Sequence, residues 1–549
     1  MALAPEPVPT PCTPKRAWWA KDDSVELVGD TVGALLARRT ASHPDRVALV
    51  GVPHGSGQQL RLTYKQLFDE AARVATALAG LTEHGDYVAL WAPNVIEWPI
   101  VQYGAALAGV VLVAINPALR DDELHYALAH SGASLLLHAD VSRDYDMAAA
   151  AARVAARLPG LRCVSLSQHA SWRAPQIDER VIAAAPSDPD AAVMLQYTSG
   201  TTGRPKGVLL HHKGLVNVAK LTLETVGVAE GAVCLNPLPM FHTAGCVIAT
   251  LGPLWVGGTV VLVDRFVAEP VLGALRDERV SVLFYVPAIL GALLACQREG
   301  DTPAPQLDIV MGGASNVPPA MIEEAEWTFR AVVINLFGQT ELSPVLSGTR
   351  PGDSRRDQLT TVGRPLPLVE CKVIDPNTGD TVNVGEPGEI CARGYQQFLG
   401  YLHDSDATAR AVDVDGFVHT GDLGTMDERG YLSITGRLKE LIIRGGENIA
   451  PAEVETALLS HDSVADAAVV GVPDERLGEL VAAVIRTDRV ADGDLRSELT
   501  AHLRARLAPF KVPTRWFVVD ALPVTPTGKV QKFQLREKIG QDDLREFGP

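Results

Sequence analysis

Cysteine is scarce in this sequence, and its placement argues against both disulfide bonds and zinc. Seven cysteines are spread over 549 residues, with no C-x-x-C pair and no neighbouring histidines at zinc-binding spacing. We therefore expect free thiols that pack as small apolar side chains in a reducing compartment. The adjacent pair His211-His212 is more typical of a loop or a helix edge than of a metal site.

Positively charged residues are fewer than negatively charged ones, with 49 Lys and Arg against 66 Asp and Glu. The formal net charge is −17, and a field of that sign repels a phosphate backbone. This argues against nucleic acids as partners, so any functional cation has to come from locally placed side chains. The remaining composition, 47% hydrophobic and 21% charged residues, is that of an ordinary globular protein.

Signals for export or membrane insertion are not apparent either. Residues 1–25 are rich in proline and contain no apolar stretch of the signal-peptide kind, so we expect a disordered lead-in and a cytoplasmic protein. Residues 233–263 contain no Asp, Glu, Lys or Arg, as a membrane span would. Prolines and the pair Gly257-Gly258 interrupt this run, so we predict a buried helix followed by a strand.

Helical and strand patterns alternate along most of the chain before Thr361. Thr63 and Gln66 have the spacing of a helix capping box, and apolar residues follow at helical intervals. The run Tyr87–Trp91 predicts a buried strand, and Asn94 is expected to start the next helix. This alternation predicts an α/β fold whose parallel sheets are covered by helices.

The pattern changes after Thr361, where short strands between Gly, Pro, Asn and Asp turns predict a β-rich subdomain. A further α+β pattern begins near Gly436 and is long enough to form a small domain of its own. We therefore predict an N-terminal core over 26–435, a hinge at 436–440 and a C-terminal domain over 441–549.

The run Tyr197–Gly207 consists almost entirely of hydroxyl-bearing residues, glycines and cations. Glycine lets backbone N–H groups close around an anion, hydroxyls add donors, and Lys206 adds charge. The run nearly matches the P-loop, but Pro205 replaces its second glycine and Gly207 replaces the Ser or Thr that holds magnesium. We predict a phosphate site of another nucleotide-binding class.

Six motifs carry a resemblance to a known family, and they occur in that family's order. They are Tyr197–Gly207, Asn236–Gly245 (NPLPMFHTAG), Asn335–Glu341 (NLFGQTE), His419–Gly424 (HTGDLG), Gly436–Glu455 (GRLKELIIRGGENIAPAEVE) and Pro526–Lys529 (PTGK). In these motifs the chain resembles the acyl-adenylate-forming (ANL) superfamily, which comprises acyl-CoA synthetases, peptide-synthetase adenylation domains and firefly-type luciferases. The resemblance covers nearly the whole chain and implies a large N-terminal domain with a small, mobile C-terminal domain.

The resemblance implies a binding site for ATP and Mg²⁺. Phe337 is expected to stack on the adenine, and Asp422 to accept hydrogen bonds from the ribose hydroxyls. Thr198 and Glu341 are expected to hold the metal and to take part in catalysis. The expected ATP- and AMP-binding residues are Thr198, Ser199, Gly200, Thr201, Thr202, Gly203, Lys206, Gly313, Ala314, Ser315, Asn335, Phe337, Gly338, Thr340, Glu341, Asp422, Arg437 and Lys529.

By the same resemblance, Lys529 is the catalytic lysine that bridges the substrate carboxylate and the α-phosphate of ATP. Lys439 matches the hinge position, where rotation exchanges Lys529 for a segment that admits a pantetheine arm. The residues expected to contact coenzyme A are Arg444, Gly445, Gly446, Phe510 and Lys511. Leu477 stands where many relatives have an aromatic residue near the coenzyme A nucleotide, which keeps a carrier protein open as the acceptor.

His242 bears on the identity of the acid and is counted among the catalytic candidates. In the resembled family, amino-acid-activating members usually carry an aspartate here, and without it a buried ammonium group lacks its partner. We therefore expect a carboxylic acid without an α-amino group, with His242 lining the acyl site or gating the thiol channel. The candidate pocket walls are His242, Tyr285, Val286, Gly312, Gly338, Gln339 and Leu342. Fatty, alicyclic and aryl acids all remain open.

Together these features predict an acyl-CoA synthetase that converts an acid and ATP into acyl-AMP and pyrophosphate, and then transfers the acyl group to a pantetheine thiol. The alternatives are an enzyme that only adenylates or that loads a carrier protein, a luciferase-like oxygenase, and a non-enzymatic binding protein. The expected partners are a small carboxylic acid, ATP, and coenzyme A or an acyl carrier protein. A homodimer is compatible with the sequence.

Overall fold

The computed structural model describes residues 15–198, 205–315, 317–444, 447–474, 476–525 and 529–548. Its helices are α1 (Val32–Ser42), α2 (Tyr64–Ala79), α3 (Glu97–Ala108), α4 (Asp121–Ser131), α5 (Met147–Ala155), α6 (His169–Trp172), α7 (Glu179–Ala183), α8 (His212–Val226), α9 (Ala249–Trp255), α10 (Ala268–Asp277), α11 (Pro287–Glu299), α12 (Pro319–Phe329), α13 (Arg355–Thr360), α14 (Ser405–Ala411), α15 (Pro451–Leu459), α16 (Gly493–Arg504) and α17 (Lys532–Gly540).

The first sheet is formed by β4 (Tyr87–Trp91), β5 (Val111–Ile115), β6 (Leu135–His138), β9 (Arg162–Ser165), β10 (Ala192–Thr198), β11 (Lys206–His211) and β21 (Gly400–Tyr401). Its order is β21-β11-β10-β5-β4-β6-β9. All neighbours are parallel except β11, which runs antiparallel to β10 and to β21. The central strands are continuous apolar runs because helices cover both of their faces.

The second sheet is formed by β2 (Val47–Gly51), β3 (Leu60–Thr63), β12 (Val233–Asn236), β13 (Thr259–Leu262), β14 (Val282–Tyr285), β15 (Ile309–Gly313), β16 (Val332–Phe337), β17 (Ser347–Gly348) and β18 (Arg364–Pro365). Its order is β18-β17-β16-β15-β14-β12-β13-β2-β3, with a parallel centre and antiparallel edges. One large apolar core fills the space between the helices and the first two sheets.

The third sheet is antiparallel and corresponds to the predicted β-rich subdomain. It is formed by β1 (Trp18–Trp19), β19 (Glu370–Ile374), β20 (Gly388–Arg393), β22 (Val418–Met426) and β23 (Leu432–Arg437). A separate two-stranded ribbon joins β7 (Val141–Ser142) to β8 (Tyr145–Asp146).

The fourth sheet builds the C-terminal unit. It is formed by β24 (Ile442–Arg444), β25 (Glu447–Ile449), β26 (Asp466–Asp474), β27 (Gly478–Arg486), β28 (Arg515–Val518) and β29 (Arg545–Glu546). Two small cores lie on this unit, one around Trp516 and one around Phe517, neighbours that point to opposite faces of β28. A short 3₁₀ turn, Leu438–Glu440, connects the third and fourth sheets and lies within the predicted hinge.

The predicted α/β fold, with helix-covered parallel sheets, a β-rich subdomain and a small α+β unit, is confirmed. The buried helix and the strand predicted within residues 233–263 are present as α9 and β13, but strand β12 and a π-helical turn at Ala244–Ile248 precede them. The helix expected at Asn94 begins at Glu97 instead, because the Asn94 side chain bonds the Leu238 and Val263 carbonyls.

None of the helices in the described ranges is both long and apolar enough to cross a membrane. The described cysteines, which omit Cys12, are all unpaired, in agreement with the expected free thiols. His211 caps α8 and His212 is its first residue, so the pair does lie at a helix edge.

The start of α2 offers a test of stability. The Thr63 side chain accepts a hydrogen bond from the Gln66 N–H, and the Gln66 side chain accepts one from the Thr63 N–H at 2.9 Å. We expect Thr63→Ala to lower the free energy of unfolding by about 1 kcal/mol and Thr63→Ser to retain it. Urea unfolding measures this as a shift in the midpoint of the first transition relative to the wild type. Equal midpoints for the two variants would contradict the capping role.

Candidate active site

The two described ends of the hydroxyl-rich run belong to the strands of a β-hairpin. Thr198 ends β10 and lies opposite Lys206, the first residue of the antiparallel strand β11. The Tyr126 hydroxyl donates to the Pro205 carbonyl at 2.9 Å and so fixes the second end of the run. The expected phosphate-binding residues Ser199, Gly200, Thr201, Thr202 and Gly203 lie outside the described residues, whereas Thr198 and Lys206 frame them.

The carboxyl ends of β15 and β16 form the wall where the adenine is expected. In the parallel register Gly312 lies beside Asn335. A Cβ at Gly312 would lie 1.9 Å from the Tyr285 carbonyl oxygen, and one at Gly338 would lie 2.0 Å from the Pro344 carbonyl oxygen. Both positions therefore require glycine for the close approach of two backbones.

The residues next to these two glycines are also placed for a ligand. Gly313 has a φ of +150° and Ala314 a φ of +71°, so the chain turns sharply out of β15 before Ser315. Phe337, at the end of β16, is partly exposed. Polar and aromatic groups at the carboxyl ends of parallel strands are where α/β sheets bind ligands.

Glu341 lies in a 3₁₀ turn, Thr340–Leu342, directly after this wall. Its carboxylate Oε1 accepts a hydrogen bond of 2.8 Å from the Tyr401 hydroxyl. The Lys206 ammonium lies 4.5 Å from the centroid of the same tyrosine ring. Tyr401 thus joins the expected metal ligand to the expected phosphate-binding cation.

Asp422 is buried, with 4% of its surface exposed, and pairs with Arg437 across β22 and β23 at 2.9 Å. Burial raises the pKa of the Asp422 carboxyl, and the charges of Arg437 and Lys529 oppose that shift. The structure therefore brings together three residues that the motifs placed far apart in the sequence. A buried carboxylate beside two cations is suited to accept hydroxyl hydrogen bonds next to an anion.

The turn that presents Asp422 is held by Glu389. One carboxylate oxygen accepts from the Gly421 N–H at 3.0 Å, and the other lies 2.9 Å from His419 Nδ1. This hydrogen bond raises the pKa of His419. Glu389 belongs to none of the sequence motifs, because its partners lie on another strand.

Lys529 is partly buried and lies within electrostatic reach of the nucleotide-site residues. Burial, followed by the charge of Arg437, lowers the pKa of its ammonium group. Asp422 and Glu341 act in the opposite direction and favour the charged form. The backbone N–H of Lys529 donates to Thr525 Oγ1 at 3.1 Å, and this hydrogen bond fixes the Lys529 backbone relative to Thr525.

The His242 ring packs at a tilt against the ring of Phe241, with their centroids 4.3 Å apart. Burial, followed by the charge of Lys529, lowers the pKa of His242 to about 4. The imidazole is therefore neutral at pH 7, and it lies close to the expected catalytic lysine. A neutral ring is suited to line an uncharged acyl chain or to hydrogen-bond a polar group.

The expected acyl-pocket residues do not form one exposed surface. Tyr285, at 0% exposure, packs into the core formed by α10, α11 and α12. Val286 and Leu342 belong to the main core. Gln339 is partly exposed beside Gly338. A pocket-lining role for these residues stays a prediction.

The residues expected to contact coenzyme A partly converge. Arg444 donates to the Phe510 carbonyl at 2.6 Å, and Lys511 pairs with Glu453 at 2.6 Å. Gly445 and Gly446 lie outside the described residues.

The hinge residue Lys439 lies in the 3₁₀ turn Leu438–Glu440. Burial, followed by the charge of Lys206, lowers the pKa of its ammonium group.

Two family models match this chain. The model described as AMP-binding enzyme matches residues 36–402, and the model described as AMP-binding enzyme C-terminal domain matches residues 453–529. The first match contains the hairpin and the adenine wall, and the second ends at the lysine of the PTGK motif.

Relatives and solved structures match over nearly the whole length. YngI of Bacillus subtilis (strain 168), provisionally named an acyl-CoA synthetase, is 36% identical over 93% of this chain and 98% of its own. The mitochondrial medium-chain acyl-CoA ligase of Mus musculus is 32% identical over 94% of this chain and 88% of its own. The o-succinylbenzoate CoA synthetase of Bacillus subtilis, solved with ATP and a magnesium ion, is 29% identical and superposes with a TM-score of 0.78 over 91% of this chain and 99% of its own.

The Asp422–Arg437 pair generates a binding prediction. Asp422→Asn keeps the shape but removes the charge, so we expect ATP affinity to fall about 10- to 100-fold, the range for a hydrogen bond to a charged group. Isothermal titration calorimetry with ATP and no acid measures this. Asp427→Asn, which alters a carboxylate that pairs with Arg429 elsewhere, is the control. Equal affinity in both variants would contradict the assignment.

Proposed function

Because the chain belongs to the AMP-binding enzyme family, we propose that it is an acyl-CoA synthetase that activates a carboxylic acid with ATP. The observation that carries this proposal is the position of Lys529, which lies within electrostatic reach of Asp422, Glu341 and His242. That is the arrangement required to bring an acid and a nucleotide phosphate together.

In the first step a carboxylate oxygen attacks the α-phosphorus of ATP, the bond to the β-phosphate oxygen breaks, and pyrophosphate leaves. Negative charge accumulates where the two anions meet, and the ammonium group of Lys529 neutralises that charge. The hairpin with Lys206 holds the leaving phosphates. Asp422 and Arg437 hold the ribose and fix the α-phosphate in place.

The oxygen donors of Glu341 and Thr198 fit Mg²⁺, which prefers hard oxygen ligands and keeps several waters. Thr198 is the last residue of β10 in the hairpin. Glu341 is linked to the hairpin by its hydrogen bond to Tyr401, whose strand pairs with β11. Bound there, Mg²⁺ would supply charge neutralisation for the phosphate oxygens. The related o-succinylbenzoate CoA synthetase was solved with ATP and a magnesium ion, which supports Mg²⁺ as the metal.

In the second step the thiolate of a pantetheine arm attacks the acyl carbonyl, the acyl–phosphate bond breaks, and AMP leaves. The C-terminal unit supplies this acceptor site through Arg444, Phe510, Lys511 and the pair Gly445-Gly446. We favour free coenzyme A over a carrier protein, because the relatives are named for coenzyme A. The cytoplasmic location and the homodimer stay predictions.

The acid is proposed to be an aliphatic monocarboxylate of medium length. The neutral imidazole of His242 offers no partner to an α-ammonium group, and the mouse relative is named for medium-chain acids. An apolar chain would gain free energy by leaving water for a site beside His242 and Phe241.

Removal of the lysine side chain tests the first step. We expect Lys529→Ala to lower the acid-dependent exchange of labelled pyrophosphate into ATP by about 10²- to 10³-fold, since one charge-stabilising donor is lost. Thioester formation from supplied acyl-AMP and coenzyme A should change less than about twofold, a difference below 0.5 kcal/mol.

The matched control for this test is Lys538→Ala, an exposed lysine of α17 that lies nine residues after Lys529. It removes a lysine of the same domain and should leave both half-reactions intact. An equal fall of both half-reactions in Lys529→Ala would contradict the assigned role.

A series of acids tests the substrate class. Each added methylene should raise kcat/KM about threefold to fourfold until the pocket is filled, because burial of one CH₂ contributes about 0.8 kcal/mol. Straight-chain acids from acetate to palmitate are compared in a pyrophosphate-release assay, with benzoate and malonate as the aryl and dicarboxylate comparisons. A maximum for either comparison acid would contradict the aliphatic assignment.

A further inference from the structure

Tyr401 lies between two residues of the nucleotide site and was not part of any recognised motif. Its hydroxyl donates to Glu341 Oε1 at 2.8 Å. Its ring faces the Lys206 ammonium, 4.5 Å from the centroid. One side chain therefore contacts both the residue expected to hold the metal and the residue expected to hold the leaving phosphates.

The backbone of Tyr401 is fixed independently of these contacts. Strand β21 pairs with β11, where Tyr401 lies opposite Val208, two residues after Lys206. The Tyr401 N–H donates to Thr408 Oγ1 at 2.9 Å, and its ring packs edge-on against Phe398 at 5.0 Å. The hydroxyl is thus presented from a rigid position at the edge of the first sheet.

The consequence for Glu341 is geometric. The Glu341 backbone is held, because its carbonyl accepts from the Phe398 N–H at 2.9 Å, but the carboxylate lies at the end of a side chain with several rotatable bonds, so the backbone alone does not set its direction. A hydroxyl donated to one oxygen sets the plane of the carboxylate and directs the other oxygen. Groups that hold a metal ligand in this way typically affect metal affinity 10- to 100-fold.

We infer that Tyr401 is a positioning residue that orients Glu341 for the magnesium ion of MgATP and steers Lys206 toward the same phosphates. This inference rests on the proposed function, and it adds a residue that the motifs did not contain. Tyrosine is required for both tasks, because phenylalanine keeps the ring for the cation and loses the hydrogen bond.

If Tyr401 only stabilised the fold, its substitution would affect nucleotide binding in a different way. Loss of packing at β21 would weaken the binding of every form of the nucleotide. Loss of Glu341 orientation would weaken only the part of the binding that depends on magnesium. The discriminating quantity is the ratio of ATP affinity with Mg²⁺ to ATP affinity without it.

The experiment measures this ratio by isothermal titration calorimetry of the full-length protein with ATP, in the absence of any acid, in EDTA and in excess Mg²⁺. In Tyr401→Phe the gain in affinity due to Mg²⁺ should fall about 10-fold, while metal-free ATP binds within about twofold of the wild type. In Tyr401→Leu, which also removes the ring facing Lys206, metal-free ATP should bind more weakly as well.

Tyr145→Phe is the matched control. The Tyr145 hydroxyl also donates to a carboxylate, Asp121, at 2.8 Å, and Arg120 lies 3.9 Å from its ring centroid, outside the nucleotide site. This variant should retain the full Mg²⁺ gain. An unchanged gain in Tyr401→Phe, or an equal loss with and without Mg²⁺, would overturn the inference. Failure of the wild type to bind ATP at all would overturn the proposed function and the inference with it.

Discussion

A carboxylate and a triphosphate repel each other, and this repulsion is the constraint on which the site depends. The protein is acidic overall, so the opposing charge has to be concentrated at one point. Asp422 contributes by holding Arg437 at 2.9 Å and by favouring the charged form of Lys529. A buried carboxylate therefore favours the charged form of Lys529 at a place where burial alone would make that charge costly.

Local periodicity predicted most of the fold. The capping box at Thr63, the buried strand at Tyr87–Trp91 and the change to short strands after Thr361 all depend on residues close in sequence, which patterns detect well. The helix start at Asn94 could not be predicted, because its amide bonds carbonyls more than a hundred residues away.

The residues of the candidate site also fall into two groups, those that a sequence motif contains and those that only the tertiary contacts reveal. Runs such as Asn335–Glu341 carry their chemistry in consecutive residues and were found from the sequence. Tyr401 and Glu389 act through partners 60 and 32 residues distant, across strands whose pairing no spacing reveals. Lys532 is a similar case, since it joins Glu440 at the hinge to Glu455 on α15. This ion cluster ties the end of the hinge to the C-terminal unit.

The proposed activity requires that the acid's own oxygen attacks the α-phosphorus of ATP beside Lys529. Positional isotope analysis tests it most directly: an aliphatic acid with both carboxylate oxygens replaced by ¹⁸O is turned over with ATP and coenzyme A, and the products are examined by mass spectrometry. If the carboxylate oxygen attacks, one ¹⁸O appears in AMP and none in pyrophosphate. Label in inorganic phosphate, with ADP as the nucleotide product, would contradict it.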